Sequence, residues 1–499
     1  MKYLLIVLSV IITLKLSAKE VIIDFNDPAN FYEGYLFSNG IEGKALDIST
    51  AAYYRAPLPI NQLDSIDMSG SFSIGIWVKS ADTYNGLKPL VTNKKSLEMK
   101  DPGFMITTQE NGSWAAYFTD GKNWQWDYKP TVKRQPINDA KWHFLAITHF
   151  AEKQEMKMYY DGKNVATYCT NGNVNLATSN PLLLGNKADE QWHSFNGMLD
   201  NFSFADRIKS DAEIAEEYFR YTGIRQEEIL PEFTPNINLM GFNIFHGGHE
   251  LGEQVGVNRV VDVIKASGAD IIGMIETYGA GPEIADALGY HFYLRSSNLS
   301  IMSKYPIEQT WDMFQPFNTC AATIRISKTQ TINYVNLWLD YRPITDDQVK
   351  ARIPASEVEA EELPTRYKEL TTILKDMQPF FDQKDVPLFV SGDFNSGSHL
   401  DWTEKAKHLF EGYAVKWPTS ILMLEKGFKD SYRELYPDPV KYPCLTWSPM
   451  SKLDIQYRID FIYYMGKNVK VTESKMIDQH PVRFPSDHAA MISTFKFKK

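Results

Sequence analysis

Leu388-Phe-Val-Ser-Gly-Asp-Phe-Asn395 decides how the second half of this 499-residue chain is read. Leu388 to Val390 is a short apolar strand, and it ends on Gly392, Asp393 and Asn395 rather than on a plain turn. Working outward, the same grammar recurs. The strand Ile237 to Ile244 carries Asn243 after Leu239-Met-Gly-Phe242, and Ile271 to Ile275 is followed by Glu276. Asp460 interrupts Tyr457 to Tyr464, while Asp487 and His488 precede a last strand, Ala489 to Phe497. Between these strands Val257, Val260, Val261 and Ile264 take the i, i+3, i+4, i+7 spacing of a helix that stops at Gly268. Thr365 to Gln378 places Tyr367, Leu370, Leu374 and Met377 on one face of a second helix. Beyond Asn236 the chain is a mixed α/β layered domain.

Upstream the period changes to two. Phe72-Ser-Ile74-Gly-Ile76-Trp-Val78 alternates, His143 to His149 is strand-like, and Met156 to Tyr160 runs into the hairpin signal Asp161-Gly162-Lys163. Many short strands, turn clusters and one helix, Asp211 to Arg220, describe an all-β sandwich or jelly roll. Glu227 to Pro235, with two prolines, reads as the connection. Residues 1–18 hold Lys2, an apolar run from Tyr3 to Leu14 and the small residues Ser17 and Ala18, the pattern of a secretory signal peptide. The expected organisation is a leader over 1–18, a jelly roll over 19–225, a linker over 226–235 and the α/β domain over 236–499. An exported protein, periplasmic, cell-surface or secreted, follows from the leader, and no later apolar stretch approaches the roughly 20 residues that span a bilayer.

Composition sets the outer bounds. With 43% apolar and 23% charged residues the chain is neither disordered nor fibrous. Its formal charge of -10, or -12 without Lys2 and Lys15, argues against a protein that coats nucleic acid or anionic membrane. Cys169, Cys320 and Cys444 match no zinc or redox spacing; they are buried thiols or supply one disulfide, Cys320 with Cys444.

Acids and amides at successive strand ends can converge on one rim of a layered sheet. Carboxylates gathered there repel one another unless a divalent cation neutralises them, and a hard oxygen-seeking ion such as Mg²⁺ suits them. A single acid at a strand end is an ordinary turn former. The ordered set carries the argument.

Gly241-Phe-Asn243, Met274-Ile-Glu276, Ser300-Ile-Met-Ser-Lys-Tyr-Pro306, Gly392-Asp-Phe-Asn395, Leu445-Thr-Trp447, Arg458-Ile-Asp-Phe461 and Ser486-Asp-His488 resemble, in order, the blocks of the endonuclease/exonuclease/phosphatase superfamily. The resemblance implies a DNase I-like α/β four-layer (α-β-β-α) sandwich and a metal-dependent phosphoesterase using Mg²⁺ or Mn²⁺. It implies Glu276 as the principal metal ligand with Asp487 completing the acidic cluster, and Asn243 on metal or phosphate. Asp393 would position or deprotonate the attacking water, Asn395 would hold that water or a phosphate oxygen, and His488, oriented by Asp460, would bind phosphoryl oxygens.

Two departures qualify the resemblance. Many relatives carry a His where this chain has Trp338, in Asn336-Leu-Trp338-Leu-Asp340-Tyr341, and an indole cannot replace an imidazolium at a leaving group. His246, Tyr341 and Arg342 are the candidates for that contact with substrate, with metal-bound water the remaining alternative. Phe245 replaces an acid found in some nucleases. The first half, through Phe72 to Val78, the Asp161-Gly162 hairpin, Leu184-Gly-Asn186 and Gly197-Met-Leu-Asp-Asn201, resembles laminin G-like, concanavalin A-type jelly rolls. Such domains often bind glycans, in some cases with Ca²⁺, and Trp124-Gln-Trp126 is either a platform for sugar rings or, as alternating Trp in β-proteins more often is, part of the core. The expected function is an exported phosphoesterase acting on phosphodiesters of lipid or sugar headgroups, with a glycan-docking module. The alternatives are a secreted nuclease, which the acidic charge makes less attractive, and a glycan-binding protein whose hydrolase domain has lost turnover.

Overall fold

The computed structural model describes residues 19–31, 35–48, 58–60, 68–83, 86–172, 174–185, 195–450 and 455–498, so the expected leader lies outside the described residues. In the first half two antiparallel sheets face each other. One runs in the order Leu36–Asn39, Lys44–Asp47, Met198–Ala205, Phe72–Lys79, Trp142–Phe150, Glu155–Tyr160, Lys163–Cys169, with Glu20–Ile23 paired to Met198–Ala205. The other contains Leu58–Pro59, Leu183–Leu184, Pro89–Thr92, Gly103–Thr108, Trp114–Thr119 and Gln125–Tyr128. Ile74, Ile76 and Val78 point between the sheets toward Phe104, Ile106 and Phe118. The opposite parity, Trp77 with Phe144 and Tyr159, is covered by Ile214 and Tyr218 of the helix Asp211–Thr222. A capping box between Ser210 and Glu213 starts that helix and Gly223, at φ 70°, ends it.

The second half is a sandwich with helices outside both sheets. One sheet orders His291–Leu294, Leu299–Ser303, Ile271–Ile275, Asn236–Asn243, Ala490–Phe497 and Val469–Ile477. Its partner orders Ile307–Trp311, Thr319–Arg325, Thr331–Trp338, Leu388–Asp393, Asp460–Met465 and Lys429–Asp430. Alternation assigns the faces. Ile237, Leu239, Ile271, Ile275, Ile332, Tyr334, Phe389, Ile462 and Tyr464 fill the seam between the sheets. The other parity meets helices: Met240, Phe242, Ile272 and Met274 pack with Val257, Val260, Val261 and Ile264 of Gln254–Ser267. On the far side Val335, Leu337, Val390 and Phe461 meet Leu370, Ile373, Leu374 and Met377. The α-β-β-α order read from the sequence is the observed one. The helix expected from Thr365 is longer at its start, because Ala355–Glu362 continues through a π-helical turn, Leu363–Tyr367, into Lys368–Asp376. That turn accommodates Pro364, which has no N–H to give.

Glycine lets the two sheets approach. A Cβ on Gly273 would lie 2.1 Å from Tyr334 Oη and 2.5 Å from Asn336 Oδ1. Both atoms belong to a buried polar seam in which Tyr334 Oη is 2.6 Å from Ser391 Oγ and Asn336 Nδ2 donates to Met274 O at 2.9 Å.

The two sandwiches are not separate bodies strung on a linker. Lys163–Cys169 pairs in parallel with His291–Leu294 through Thr167 with Tyr293 and Tyr168 with Leu294, giving one 14-stranded sheet. Tyr168 meets Phe292 edge-on at 6.1 Å. Beside this seam Asp286 accepts hydrogen bonds from Gln135 Nε2 at 2.7 Å and Thr131 N at 3.2 Å, and burial pushes its carboxyl up. Pro231 and Thr234 of the connecting stretch are fastened to Lys328 N and to Gln330 Oε1.

Two open readings are decided here. Trp124 and Trp126 are only partly exposed; they pack on the core, meet edge-on at 6.3 Å and bury both indole N–H groups, so they offer no open sugar platform. Cys169, Cys320 and Cys444 are buried thiols, and Arg295 Nη1 lies 2.7 Å from Cys169 Sγ. Among the described residues no helix is long and apolar enough to cross a membrane.

Gly273→Ala is expected to destabilise the protein by about 1–3 kcal/mol, since a methyl group must displace the polar seam. Asp286→Ala is expected to cost about 1–3 kcal/mol by leaving Gln135 and Thr131 unpaired. Chemical denaturation of each variant checks both; midpoints unchanged from the parent would contradict the packing described.

Candidate active site

The seam-facing parity continues past the last apolar residue of each strand and becomes polar at one rim. Asn243 follows Leu239 and Gly241 on that parity, Asp393 follows Phe389 and Ser391, and Asp460 precedes Ile462 and Tyr464. Register then sets neighbours: Trp338 pairs with Asp393, and Asp393 pairs with Asp460. Trp338, Asp393 and Asp460 therefore stand in one row at the open end of the seam. Glu276 arrives from the opposite sheet, one residue beyond Ile271–Ile275, at φ 58°, with its N–H donated to Asn298 Oδ1 at 3.1 Å.

These groups interlock. Asn243 Nδ2 donates to Glu276 Oε1 at 3.2 Å and lies 3.4 Å from Asp393 Oδ2, bridging the two sheets. His488 Nδ1 is 3.0 Å from Asp460 Oδ2, and its Nε2 is 3.9 Å from Asp393 Oδ2. The Asn395 N–H caps Asp393 Oδ1 at 2.9 Å, while its amide donates to Leu339 O at 2.8 Å. Arg366, buried beneath, donates to the carbonyls of Asn395 and Pro343. The glycine turn after Asn243, with Gly247 and Gly248 at φ 74° and 76°, brings the His246 N–H onto Glu276 Oε2 at 2.8 Å.

Burial and charge shape the titration. Burial pushes Asp393 up to about 7, with the His488 charge pulling against it and Asp460 adding to it. Burial works against a charged His488, yet Asp460 and Asp393 outweigh it and raise the imidazole from 6.5 to about 10. Because the folded value is the higher one, this charge stabilises the fold fully below about 6.5, and the contribution is lost as pH rises through about 10. Burial also raises Asp487, and a hydrogen bond to Glu250 raises His246.

The donor set fits a hard divalent cation. Carboxylate oxygens of Asp393 and Asp460 lie within 4.8 Å of each other. Asp460 Oδ1 and Asp487 Oδ1 are buried without a hydrogen-bond partner, and Glu276 adds a further carboxylate to the same cleft. Oxygen atoms left in that condition are what Mg²⁺ or Mn²⁺ would satisfy.

The residues open onto a cleft of about 520 Å³ lined by Glu276, Asp393, Asn395, Asp487, His488, His246 and Tyr341. Of the three leaving-group candidates, Arg342 is the one the structure does not bring there. Its guanidinium lies over the Tyr341 ring at 5.3 Å and 3.6 Å from Asp340, so its charge is already engaged. Tyr278, Phe317, Asp346 and Trp447 line the same cleft, Trp447 with its ring 4.7 Å from that of His488. Trp447 lies in a motif quoted above. Tyr278 and Phe317 sit on loops where no sequence periodicity marks them, and Asp346 is in the first turn of a short helix, Thr345–Lys350.

A cluster of acids around one imidazole, at the open end of a two-sheet seam, is what fold and site define. Residues 240–488 match the model of the endonuclease/exonuclease/phosphatase family, and residues 54–215 that of the concanavalin A-like lectin/glucanases superfamily. The C-terminal domain belongs to the first, whose members hydrolyse phosphoesters, and the N-terminal domain to the second. An uncharacterized Caenorhabditis elegans protein is 35% identical over 132 residues, 23% of this chain and 42% of that protein; the chain thus spans under half of this relative's length. Truncated Caenorhabditis elegans TDP2 is similar at 18% identity, covering 54% of this chain and 99% of that one with a TM-score of 0.37. The human Nocturnin catalytic domain gives 16%, 54%, 97% and 0.36, and a Bacteroides thetaiotaomicron mannosyl-6-phosphatase gives 16%, 52%, 100% and 0.35, in the same order.

Asp460→Asn removes the largest of the charges holding the His488 proton, ahead of Asp393 and Asp487, so the imidazole should titrate well below about 10, toward 6.5. An NMR titration of the His488 ring checks this; a titration unmoved by the substitution would contradict the pairing.

Proposed function

We propose that the protein is an exported, metal-dependent phosphoesterase that hydrolyses phosphodiesters of lipid or sugar headgroups, with the jelly roll serving as a glycan-docking module. The observation that supports it best is the gathering of Glu276, Asp393, Asp460 and Asp487 around one imidazole, with two carboxylate oxygens unpartnered. Glu276 and Asp487 would hold Mg²⁺ or Mn²⁺. When bound, that ion polarises a phosphoryl oxygen and offsets the carboxylate repulsion.

The remaining roles belong to this chain's own side chains. Asp393, raised toward neutrality, takes the proton of the attacking water at its carboxylate, a value suited to a general base. Asn395, its amide anchored on Leu339, orients that water. His488, charged and held by Asp460, donates to the phosphoryl oxygens as negative charge develops there. Asn243 fixes the spacing of Glu276 and Asp393, its amide shared between them rather than presented to phosphate. His246 and Tyr341 line the cleft where a leaving group departs.

The test is headgroup or phosphate release by the mature protein from phospholipids, sugar phosphates, aryl phosphates and nucleic acids, in Mg²⁺, Mn²⁺, Ca²⁺ or EDTA. Turnover should require the metal, and Glu276→Ala, Asp393→Ala and His488→Ala should each lower kcat by about 10²-fold or more. Digestion of plasmid or RNA with steep salt dependence would instead identify a nuclease. Well-folded protein that turns over no phosphoester would overturn the reading and leave a glycan-binding protein.

A further inference from the structure

We propose, building on the phosphoesterase reading, that the cleft selects a singly phosphorylated ester whose organic group presents one flat ring. Trp338, Phe317 and Tyr341 form the wall that receives it.

Three observations lead there. The register that pairs Trp338 with Asp393 fixes the indole beside the carboxylate assigned to the attacking water. Phe317 meets Trp338 edge-on at 5.4 Å and 89°, and Tyr341 lies 6.3 Å from it at 50°, so the three rings make one apolar wall. Across the cleft Phe245, His246 and Tyr278 follow one another at 5.1 and 5.4 Å. Phe317, Tyr341 and Tyr278 keep 38%, 47% and 38% of their surface open, which is costly for large apolar faces with nothing to cover. Aromatic walls of this kind take a flat partner, an aryl ring or the C–H face of a pyranose, with only a few polar groups fixing its orientation.

The charge around the cleft sets the second half of the inference. Among the described residues lining it there is no Lys or Arg, and Asp346 adds a further acid to those of the floor. A second phosphate on the substrate would face these carboxylates with no Lys or Arg to meet it, since His488 serves the first phosphate and His246 is paired with Glu250. Trp338 therefore acts here as a specificity wall. It replaces a potential cation with a surface that excludes polyanions and holds a ring.

The experiment compares kcat/KM of the full-length mature protein for benzyl phosphate, a hexose 6-phosphate, glycerol phosphate and inositol trisphosphate, with methyl diesters of the first three. All release a primary alcohol except the polyanion, so intrinsic reactivity is matched. A ring substrate should be preferred over the glycerol ester by about ten-fold, and Trp338→Ala and Phe317→Ala should each reduce that ratio several-fold. The benzyl and hexose arms tell an aryl from a sugar ring. Equal kcat/KM for all esters, or a ratio unmoved in both variants, would overturn the inference while leaving the phosphoesterase standing. If no ester is turned over, the phosphoesterase reading fails, and calorimetry with benzylphosphonate against propylphosphonate decides the wall by itself. Tighter benzylphosphonate binding that Trp338→Ala abolishes supports it, and equal binding refutes it. Thermal unfolding of both variants confirms that they are folded.

Discussion

Mutual repulsion among Glu276, Asp393, Asp460 and Asp487 is the constraint around which the C-terminal domain is arranged. Like charges at such spacing, with Asp393 and Asp460 buried, are held together only by groups that face them from several sides. Here those groups are the Asn243 amide between Glu276 and Asp393, the backbone N–H groups of His246 and Asn395, and the His488 imidazolium between Asp460 and Asp393. They are delivered by three strand ends, those of Asn236–Asn243, Leu388–Asp393 and Ala490–Phe497. The two sheets must therefore meet at a fixed spacing and register, which the glycine-permitted polar seam of Gly273, Tyr334, Asn336 and Ser391 sets directly beneath the site.

The same economy of strand pairing links the two halves. Because Lys163–Cys169 adds in parallel to His291–Leu294, the edge of the catalytic sheet is covered rather than exposed, and the jelly roll becomes an extension of that sheet. Tyr168 against Phe292 and Asp286 against Thr131 and Gln135 make the junction apolar at its centre and polar at its margin. A ligand held by the N-terminal domain would thus be carried at a constrained orientation to the cleft.

Much of this was legible in the sequence because the signals are local. Each of Asn243, Glu276, Asp393, Asp460 and His488 lies beside an apolar strand, and alternation within the strands assigns the seam and helix faces. What was not legible depends on contacts between distant segments. Thr167-Tyr168 and Tyr293-Leu294 each read as ordinary strand, and nothing in either announces the other. Arg342 looked available, but Asp340 and the Tyr341 ring engage its charge. Trp124 and Trp126 left a platform and core packing both open, and their shared parity packs both on the core, Trp126 against Tyr168. Tyr278 and Phe317 reach the cleft from loops, where chain direction rather than periodicity decides position.

The claim that a divalent cation belongs among these carboxylates is tested most directly by titrating Mn²⁺ into the mature protein and following the free ion by electron paramagnetic resonance. The account predicts saturable binding that Glu276→Gln weakens by at least about ten-fold and that Mg²⁺ displaces. Binding absent from the folded protein, or unaltered in Glu276→Gln, would contradict it.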